Sequence, residues 1–162
     1  MKIYIGCDHA GYEDKEKLKV YLTDQGHEVE DKGDPVFDVN DDYPDFVKPV
    51  AEAVAKDKES LGVVIGGSGF GEAMAANRVK GVRAMVFYGP MFAKEAVDEE
   101  GRESVDPYEL VKLARMHNNS NILSLAARFI TEEQMLEAIR LFLNTTFSGE
   151  ERHVRRINKL DI

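Results

Sequence analysis

The stretch GVVIGGSGFGEAMAANRV, residues Gly62 to Val79, joins a short apolar run to a helix-like segment through a loop with four glycines around Ser68. Gly62 to Ile65 has the β-branched composition of a buried strand, and Gly71 to Val79 has helical spacing. Glycine lets the backbone approach a ligand closely, and the free amides at a helix start donate hydrogen bonds to anions. The stretch therefore predicts a strand, a ligand-binding loop and a helix in succession.

The same order of strand and helix recurs along the chain. The other predicted strands are Lys2 to Cys7, His27 to Glu30, Arg83 to Phe87 and Asn121 to Leu125. The other predicted helices are Tyr12 to Gln25, Pro44 to Ala55, a region from Met91 to Met116, Glu132 to Asn144 and a basic helix near residues 148–160. We expect Ser68 and Thr131 to cap helix starts. Because parallel strands need crossover connections, which are usually helices, the alternation predicts an α/β fold with a parallel sheet.

The composition excludes several classes of protein. The chain has 162 residues, of which 43% are apolar and 31% charged, as is typical of one globular domain. Its apolar runs fall well short of the roughly eighteen residues that a membrane span requires. A net charge of −9 opposes binding to nucleic acid or anionic lipid. We therefore predict one domain over residues 1–162, with neither a nucleic acid nor a membrane as partner.

The N-terminus and the cysteine content predict a cytoplasmic location. The opening MKIYIGCDHAGYE turns polar too soon for a secretory signal. Cys7 is the only cysteine, which fits a reducing compartment and argues against a cysteine-rich metal site. Because unpaired cysteine is usually interior, we interpret Cys7 as a buried strand residue rather than a nucleophile.

Glu72 is unexpected in a plain phosphate-binding loop, because a carboxylate would repel a phosphate bound to the same amides. We interpret it as a base that removes a proton next to a carbonyl while the loop amides stabilise the enediolate. The alternative is a capping box in which Glu72 and Ser68 satisfy the helix start.

Two polar residues follow the first predicted strand, where ligands bind in parallel α/β sheets. Asp8 has the chemistry to hold sugar hydroxyls, and His9 has the chemistry to donate to an anion. The alternative is that Asp8 caps a helix and His9 is a surface residue.

Further candidates lie in the last third of the chain. His117 is an acid or base suited to opening a sugar ring, and Asn118 is suited to binding a hydroxyl, although both also suit a helix end. Arg152 and Arg156 share one face of the basic helix and can converge on a phosphate, with Arg128 as a further candidate. The alternative is a solvated basic face.

Five motifs, in this order, resemble the ribose-5-phosphate isomerase B family, which also includes the subunits of galactose-6-phosphate isomerase. They are GCDHAG at residues 6–11, DDYP at 41–44, GGSGFGEAMAANR at 66–78, HNNSN at 117–121 and RHVRRI at 152–157. The resemblance covers nearly the whole chain. It implies a Rossmann-like three-layer α/β/α sandwich with five parallel strands, and a homodimer or dimer of dimers whose active sites are shared between subunits. It implies no cofactor and no metal.

The resemblance also implies an activity, the conversion of D-ribose 5-phosphate to D-ribulose 5-phosphate. The implied catalytic residues are Glu72, Ser68, Asp8 and His117. The implied substrate-binding residues are His9, Tyr43, Gly67, Gly69, Phe70, Gly71, Asn77, Asn118, Arg128, Arg152 and Arg156. Asp8 and His117 are rivals for ring opening. Alternative functions are isomerisation of an allose, galactose or four-carbon phosphate, a sugar-phosphate-binding module without catalysis, and a subunit active only with another chain.

This chain departs from part of the family at two places. Many members carry a cysteine base where this chain has Gly66, whereas the other branch has GGSGxGE, which residues 66–72 match. The segment DEEGRESVDPYE, residues 98–109, replaces a shorter helix of the family. Its six acidic residues, glycine and proline predict a solvated loop between two helices. We expect a tolerated surface loop, with a lid, a determinant of sugar length and an altered dimer interface as alternatives.

Overall fold

The computed structural model describes residues 1–161, in which strands and helices alternate as the sequence predicts. The strands are β1 Lys2–Cys7, β2 Glu28–Asp31, β3 Leu61–Gly66, β4 Ala84–Phe87 and β5 Ile122–Ala126. The helices are α1 Tyr12–Asp24, α2 Tyr43–Lys56, α3 Phe70–Ala76, α4 Glu109–Asn118, α5 Glu132–Asn144 and α6 Glu151–Ile157. A 3₁₀ turn, His9–Gly11, precedes α1. Within residues 1–161, every helix is too short or too polar to cross a membrane.

The five strands form one parallel sheet in the order β2-β1-β3-β5-β4. The predicted fold is therefore confirmed. In the centre of the sheet, Cys7 of β1 pairs with Ile65 of β3, and Gly66 of β3 pairs with Ala126 of β5. Because these pairs lie at the strand ends, the segments that follow β1, β3 and β5 leave the sheet side by side.

Two apolar clusters hold the helices on opposite faces of the sheet. On one face, side chains of α1, α4 and α5 such as Leu18, Val111 and Phe142 are buried. On the other face, α2 and α3 contribute residues such as Val47 and Ala76. All six residues of β3 are buried, as expected of a central parallel strand covered on both sides. Each large apolar side chain buried in this way contributes about 1.5–3 kcal/mol to stability.

The predicted helical region from Met91 to Met116 is wrong in its first part, because α4 begins only at Glu109. Pro107 accounts for a break just before α4, since the residue before a proline is disfavoured in the helical conformation, and nothing in the structure explains why residues 91–105 form no helix. The acidic segment is a loop, but no helix precedes it between β4 and α4. Glu109 is also not solvated, because it is only 3% exposed.

The two predicted helix caps have different outcomes. Thr131 forms a complete capping box, in which its side chain accepts from Gln134 N and the Gln134 side chain accepts from Thr131 N. Ser68 is not the N-cap of α3. That position is taken by Gly69, whose φ of 75° is left-handed.

We predict that Thr131→Ala lowers the free energy of unfolding by about 1 kcal/mol, because it removes the acceptor for a helix-start amide. Urea unfolding followed by circular dichroism measures the change. Thr146→Ala is the matched control, because Thr146 is exposed and its hydroxyl makes no hydrogen bond to residues 1–161. Equal stability of the two variants would contradict the capping role.

Candidate active site

The carboxyl edge of the sheet brings three predicted segments together. Asp8 follows β1, the glycine loop follows β3, and Arg128 follows β5. The pairing of β3 with β5 continues past the strands, because Ala127 N donates to Gly66 O at 2.9 Å and Arg128 N to Gly67 O at 3.1 Å. These bonds fix the first half of the glycine loop against the segment that carries Arg128.

The second half of the glycine loop is held by a side chain of β5. The buried hydroxyl of Ser124, on β5, donates to Gly69 O at 2.6 Å. A Cβ at Gly69 would lie 3.2 Å from the carbonyl carbon of Leu125, and the left-handed φ of Gly69 also favours glycine. The chain therefore turns sharply at Gly69 and enters α3 at Phe70.

The Glu72 carboxylate lies directly over the end of β3. Glu72 is 4% exposed, and within residues 1–161 its Oε2 has no hydrogen-bond partner. A Cβ at Gly66 would lie 1.9 Å from Glu72 Oε1, so only glycine at position 66 leaves room for this carboxylate. Burial raises the pKa of Glu72, and the nearby charge of Asp8 raises it further. This is a desolvated carboxylate with the proton affinity of a base.

The capping-box alternative for Glu72 does not match this geometry. The hydroxyl of Ser68 accepts only a long bond of 3.4 Å from Phe70 N. The side chain of Glu72 makes no hydrogen bond to Ser68 in return. The reciprocal bonds that define a capping box are therefore absent, and the one backbone hydrogen bond that lowers the pKa of the Glu72 carboxyl comes from its own amide.

Asp8 lies close enough to Glu72 for its charge to act on that carboxylate, and it has the capping role considered for it, whereas its contact with sugar hydroxyls stays a prediction. It is 7% exposed, and its Oδ1 accepts from Ala10 N at 3.0 Å, which caps the 3₁₀ turn. Burial raises the pKa of Asp8. The hydrogen bond from Ala10 N therefore fixes the position of the buried Asp8 carboxylate at the edge of the sheet.

His9 is held by Asp41, a residue to which the sequence assigned no role. Asp41 Oδ2 accepts from His9 N at 2.8 Å, and the His9 ring donates from Nδ1 to Asp41 Oδ1 at 2.5 Å. The Asp41 side chain is 4% exposed, whereas that of His9 is 26% exposed. This hydrogen bond to Asp41 raises the pKa of His9, which favours the imidazolium.

Asp8, His9 and Asp41 are also the residues that have the donor atoms for a metal ion. Their ligand atoms lie within 4.8 Å of one another. Because Nδ1 of His9 already donates to Asp41, the observed arrangement is that of a hydrogen-bonded pair. The expected absence of a metal stays a prediction.

Tyr43 and Arg128 line the same edge. A Cβ at Gly71 would lie 2.9 Å from Cζ of Tyr43, so the tyrosine ring lies against the loop. A Cβ at Gly67 would lie 3.3 Å from Nε of Arg128. Arg128 is exposed and forms no ion pair with residues 1–161, and its charge acts on His9. His9 and Arg128 therefore provide adjacent positive charge at the mouth of the site.

The remaining charged candidates lie at the opposite, amino edge of the sheet. His117 and Asn118 end α4, and the chain enters β5 directly afterwards at Ile122. Arg83, which precedes β4, donates from Nε to Asn118 O at 3.0 Å, which fixes the end of α4 at this edge. The five residues of β5 separate the two edges by about 16 Å at about 3.3 Å per residue.

The amino-edge group is built from α4 and α6. The rings of His117 and His153 are 4.3 Å apart, and His153 is buried, with its Nδ1 2.9 Å from Ser148 Oγ. Burial lowers the pKa of His117, and His153 and Arg152 lower it further. Arg152, Arg156 and His117 share a cavity of about 260 Å³. The sequence missed His153, because a buried histidine in a basic stretch has no local signature.

Two other predicted residues lie away from the carboxylate of Glu72. Phe70 is 48% exposed, and its ring packs 5.6 Å from that of Tyr88. The side-chain amide of Asn77 is engaged at the amino edge, since it donates to Ala84 O at 3.0 Å and accepts from Ala84 N at 2.7 Å. Asn77 therefore joins α3 to β4, and the structure does not bring it to the carboxyl-edge site.

A sequence profile of the Ribose/Galactose Isomerase family matches residues 3–102 and 104–160. Ribose-5-phosphate isomerase B of Mycobacterium tuberculosis is 37% identical over 160 residues, which are 99% of this chain and 88% of that protein. The Mycoplasma genitalium enzyme, solved with bound ribulose-5-phosphate, aligns with a TM-score of 0.83 and 37% identity over 98% of this chain and 93% of its own. The Thermotoga maritima ribose 5-phosphate isomerase aligns with a TM-score of 0.82 and 39% identity, over 99% of this chain and 97% of its own. The chain therefore belongs to the ribose/galactose isomerase family.

Proposed function

We propose that this chain is an aldose-ketose isomerase that interconverts D-ribose 5-phosphate and D-ribulose 5-phosphate through a cis-enediolate. The observation that carries the proposal is the buried carboxylate of Glu72, whose Oε2 has no hydrogen-bond partner among residues 1–161. Relatives named ribose-5-phosphate isomerase B, one of them with bound ribulose-5-phosphate, support the choice of sugar.

In the proposed reaction, Glu72 takes the proton from C2 and returns it to C1. A raised pKa makes the carboxylate a stronger base, and Oε2, which has no hydrogen-bond partner among residues 1–161, is left to accept a substrate proton. Backbone amides of the loop from Gly67 to Gly71, with the hydroxyl of Ser68, stabilise the negative oxygen of the enediolate. The proton moves between adjacent carbons, so one base serves both steps.

Ring opening is proposed for Asp8 or His117. Asp8 lies beside Glu72, and burial raises its pKa, so it is better able to hand over a proton near neutral pH. The pKa of His117 is lowered, which keeps its imidazole neutral and able to accept one. Within one chain, however, the length of β5 separates His117 from Glu72, so His117 acts only if it comes from a second copy.

We also propose that phosphate is bound by two groups of cations. His9 and Arg128 lie at the carboxyl edge of one subunit, and Arg152 and Arg156 of a second subunit complete the site. The placement of the two groups at opposite edges supports a homodimer, or a dimer of dimers, with shared sites. Binding energy from the phosphate would orient the sugar for proton transfer. We propose a cytoplasmic enzyme, in keeping with the single buried thiol of Cys7, whose pKa burial raises to about 12.

We predict that Glu72→Gln lowers kcat for ribulose 5-phosphate formation by about 10²–10⁴-fold, because the amide cannot accept the C2 proton. The assay uses purified protein and ribose 5-phosphate without added metal or cofactor. Glu52→Gln is the matched control, since Glu52 lies on α2, is exposed and forms no ion pair with residues 1–161.

Three outcomes separate the alternatives. Equal activity of Glu72→Gln and the parent would exclude Glu72 as the base. A parent that turns over a hexose or four-carbon phosphate much faster than ribose 5-phosphate would keep the chemistry and change the substrate. Tight binding of ribose 5-phosphate with no turnover would indicate a binding module.

We predict that kcat/KM has an acid limb above the usual pKa of glutamate. The reaction needs ionised Glu72, and its raised pKa means that the carboxylate is lost to protonation at a higher pH than in a solvated glutamate. Activity should therefore fall as pH decreases through that raised value and recover on return to neutral pH. A pH profile of kcat/KM measures the limb, and a flat profile down to the range of ordinary carboxyl groups would contradict the assignment.

We predict that Asp41→Asn lowers the pKa of His9, because it removes the carboxylate that stabilises the imidazolium. Proton NMR titration of the histidine ring signals measures the pKa, and the KM for ribose 5-phosphate should rise most strongly above the new value. His27 is an internal control, since burial and the N-terminal amine set its pKa. An unchanged His9 titration would show that Asp41 is only a structural partner.

A further inference from the structure

The tip of the acidic segment lies against the arginines of α6. Glu99 Oε2 is 2.5 Å from Nη1 of Arg152, and Glu99 Oε1 is 3.9 Å from Nη2 of Arg156. Glu100 Oε2 is 3.9 Å from Nη2 of Arg152, and Glu150 Oε2 is 2.8 Å from Nε. Arg152 is thus faced by three carboxylates of its own chain, and Glu99 spans both arginines.

This contact is made by a structured turn. Val97 N donates to Arg102 O at 2.8 Å, and Arg102 N donates to Asp98 Oδ1 at 2.9 Å. Gly101 has a left-handed φ of 82°, which closes the turn. Glu99 lies at the tip of this turn. Its side chain is 67% exposed even though it contacts the arginines.

The base of the turn is anchored in the helical layer. Arg102 donates from Nη2 to Glu109 Oε1 at 2.7 Å, and Ser104 Oγ donates to Glu109 Oε2 at 2.8 Å. Burial alone would raise the pKa of Glu109, but these two hydrogen bonds outweigh it and lower the pKa. A buried, ionised glutamate at the first residue of α4 therefore fixes the position of the turn relative to α6.

The contact has the chemistry of a phosphate site that is already occupied. A carboxylate offers arginine two oxygens and one negative charge, whereas a phosphate monoester offers three oxygens and up to two charges. At the other edge of the sheet, Arg128 forms no ion pair with residues 1–161. The arginines of the two groups thus differ, because Arg152 and Arg156 are faced by an acidic turn, whereas at the carboxyl edge Asp41 pairs with His9 and not with Arg128.

We propose that Glu99 is an internal competitor of the substrate phosphate, which occupies Arg152 and Arg156 until a phosphate monoester displaces it. The inference rests on the proposed function, because it takes these arginines as part of the phosphate site. The Glu99 side chain is 67% exposed and that of Arg152 is 18% exposed, so we expect this partly solvated ion pair to shift an equilibrium by up to about fivefold, which weakens binding without blocking it. A ligand with a single carboxylate gains nothing by replacing Glu99, so the turn favours sugar phosphates over sugar acids.

The test measures the Kd of inorganic phosphate by isothermal titration calorimetry and the KM of ribose 5-phosphate. Glu99→Gln should tighten both by about three- to fivefold, with kcat unchanged. Glu103→Gln is the matched control, because Glu103 lies in the same segment, is exposed and forms no ion pair with residues 1–161. It removes the same charge and should leave both constants close to those of the parent. Arg152→Gln should weaken phosphate binding and abolish the effect of Glu99→Gln.

The outcomes distinguish this inference from the function on which it rests. If Arg152→Gln weakens phosphate binding but Glu99→Gln behaves like Glu103→Gln, the competitor is excluded and the phosphate site stands. If Arg152→Gln leaves phosphate binding unchanged, the arginines are not part of the site and both ideas fail. If phosphate binding changes as expected in a protein that does not isomerise ribose 5-phosphate, the competitor stands and the proposed reaction is wrong.

Discussion

The candidate site depends on the register of three neighbouring strands. β3 pairs with β1 on one side and with β5 on the other, and each pairing runs to the last residue of β3 or the residue before it. A slip of one residue would place a larger side chain where Gly62 or Gly66 now lies, and a Cβ there would be 2.9 Å from Ile122 or 1.9 Å from Glu72, so the register is fixed by close packing. Asp8, the glycine loop and Arg128 therefore leave the sheet together. The geometry of the candidate site follows from strand pairing rather than from any single loop.

Local sequence is sufficient for the parts of the structure that local forces decide. The apolar runs predict all five strands to within a residue or two. Thr131 is recognisable as a helix cap because Gln134, its partner in the capping box, lies three residues further along the chain. Glu72 is predicted to be a base because a carboxylate would repel a phosphate at the same loop, and the structure shows that this carboxylate is buried without a partner for Oε2 among residues 1–161. Ser68 misleads, since the left-handed conformation of Gly69 moves the start of α3 past it.

Contacts between distant residues could not be predicted in this way. Asp41 is 32 residues from His9, and only the fold brings its carboxylate to the imidazole. The apolar spacing after Met91 indicates a helix, but the chain here is shaped by Pro107 and by ion pairs of Arg102 that have no period. The sequence likewise does not show that the charged candidates lie at opposite edges of the sheet. That becomes clear only when α4 is seen to end at the edge where β5 begins. An acidic chain thus keeps two separate groups of cations, one in which Arg128 forms no ion pair with residues 1–161 and one in which Arg152 and Arg156 face Glu99.

The contact between Gly66 and Glu72 has a consequence for how such a site changes over evolutionary time. Position 66 has room for a side chain only if the carboxylate of Glu72 moves away. A lineage that exchanged the glutamate for a cysteine at position 66 would first pass through either a chain with two groups in one space or a chain with neither. The first of these chains has a steric clash and the second lacks both groups. The residues at positions 66 and 72 are therefore expected to change together, and this chain carries the combination of glycine and glutamate.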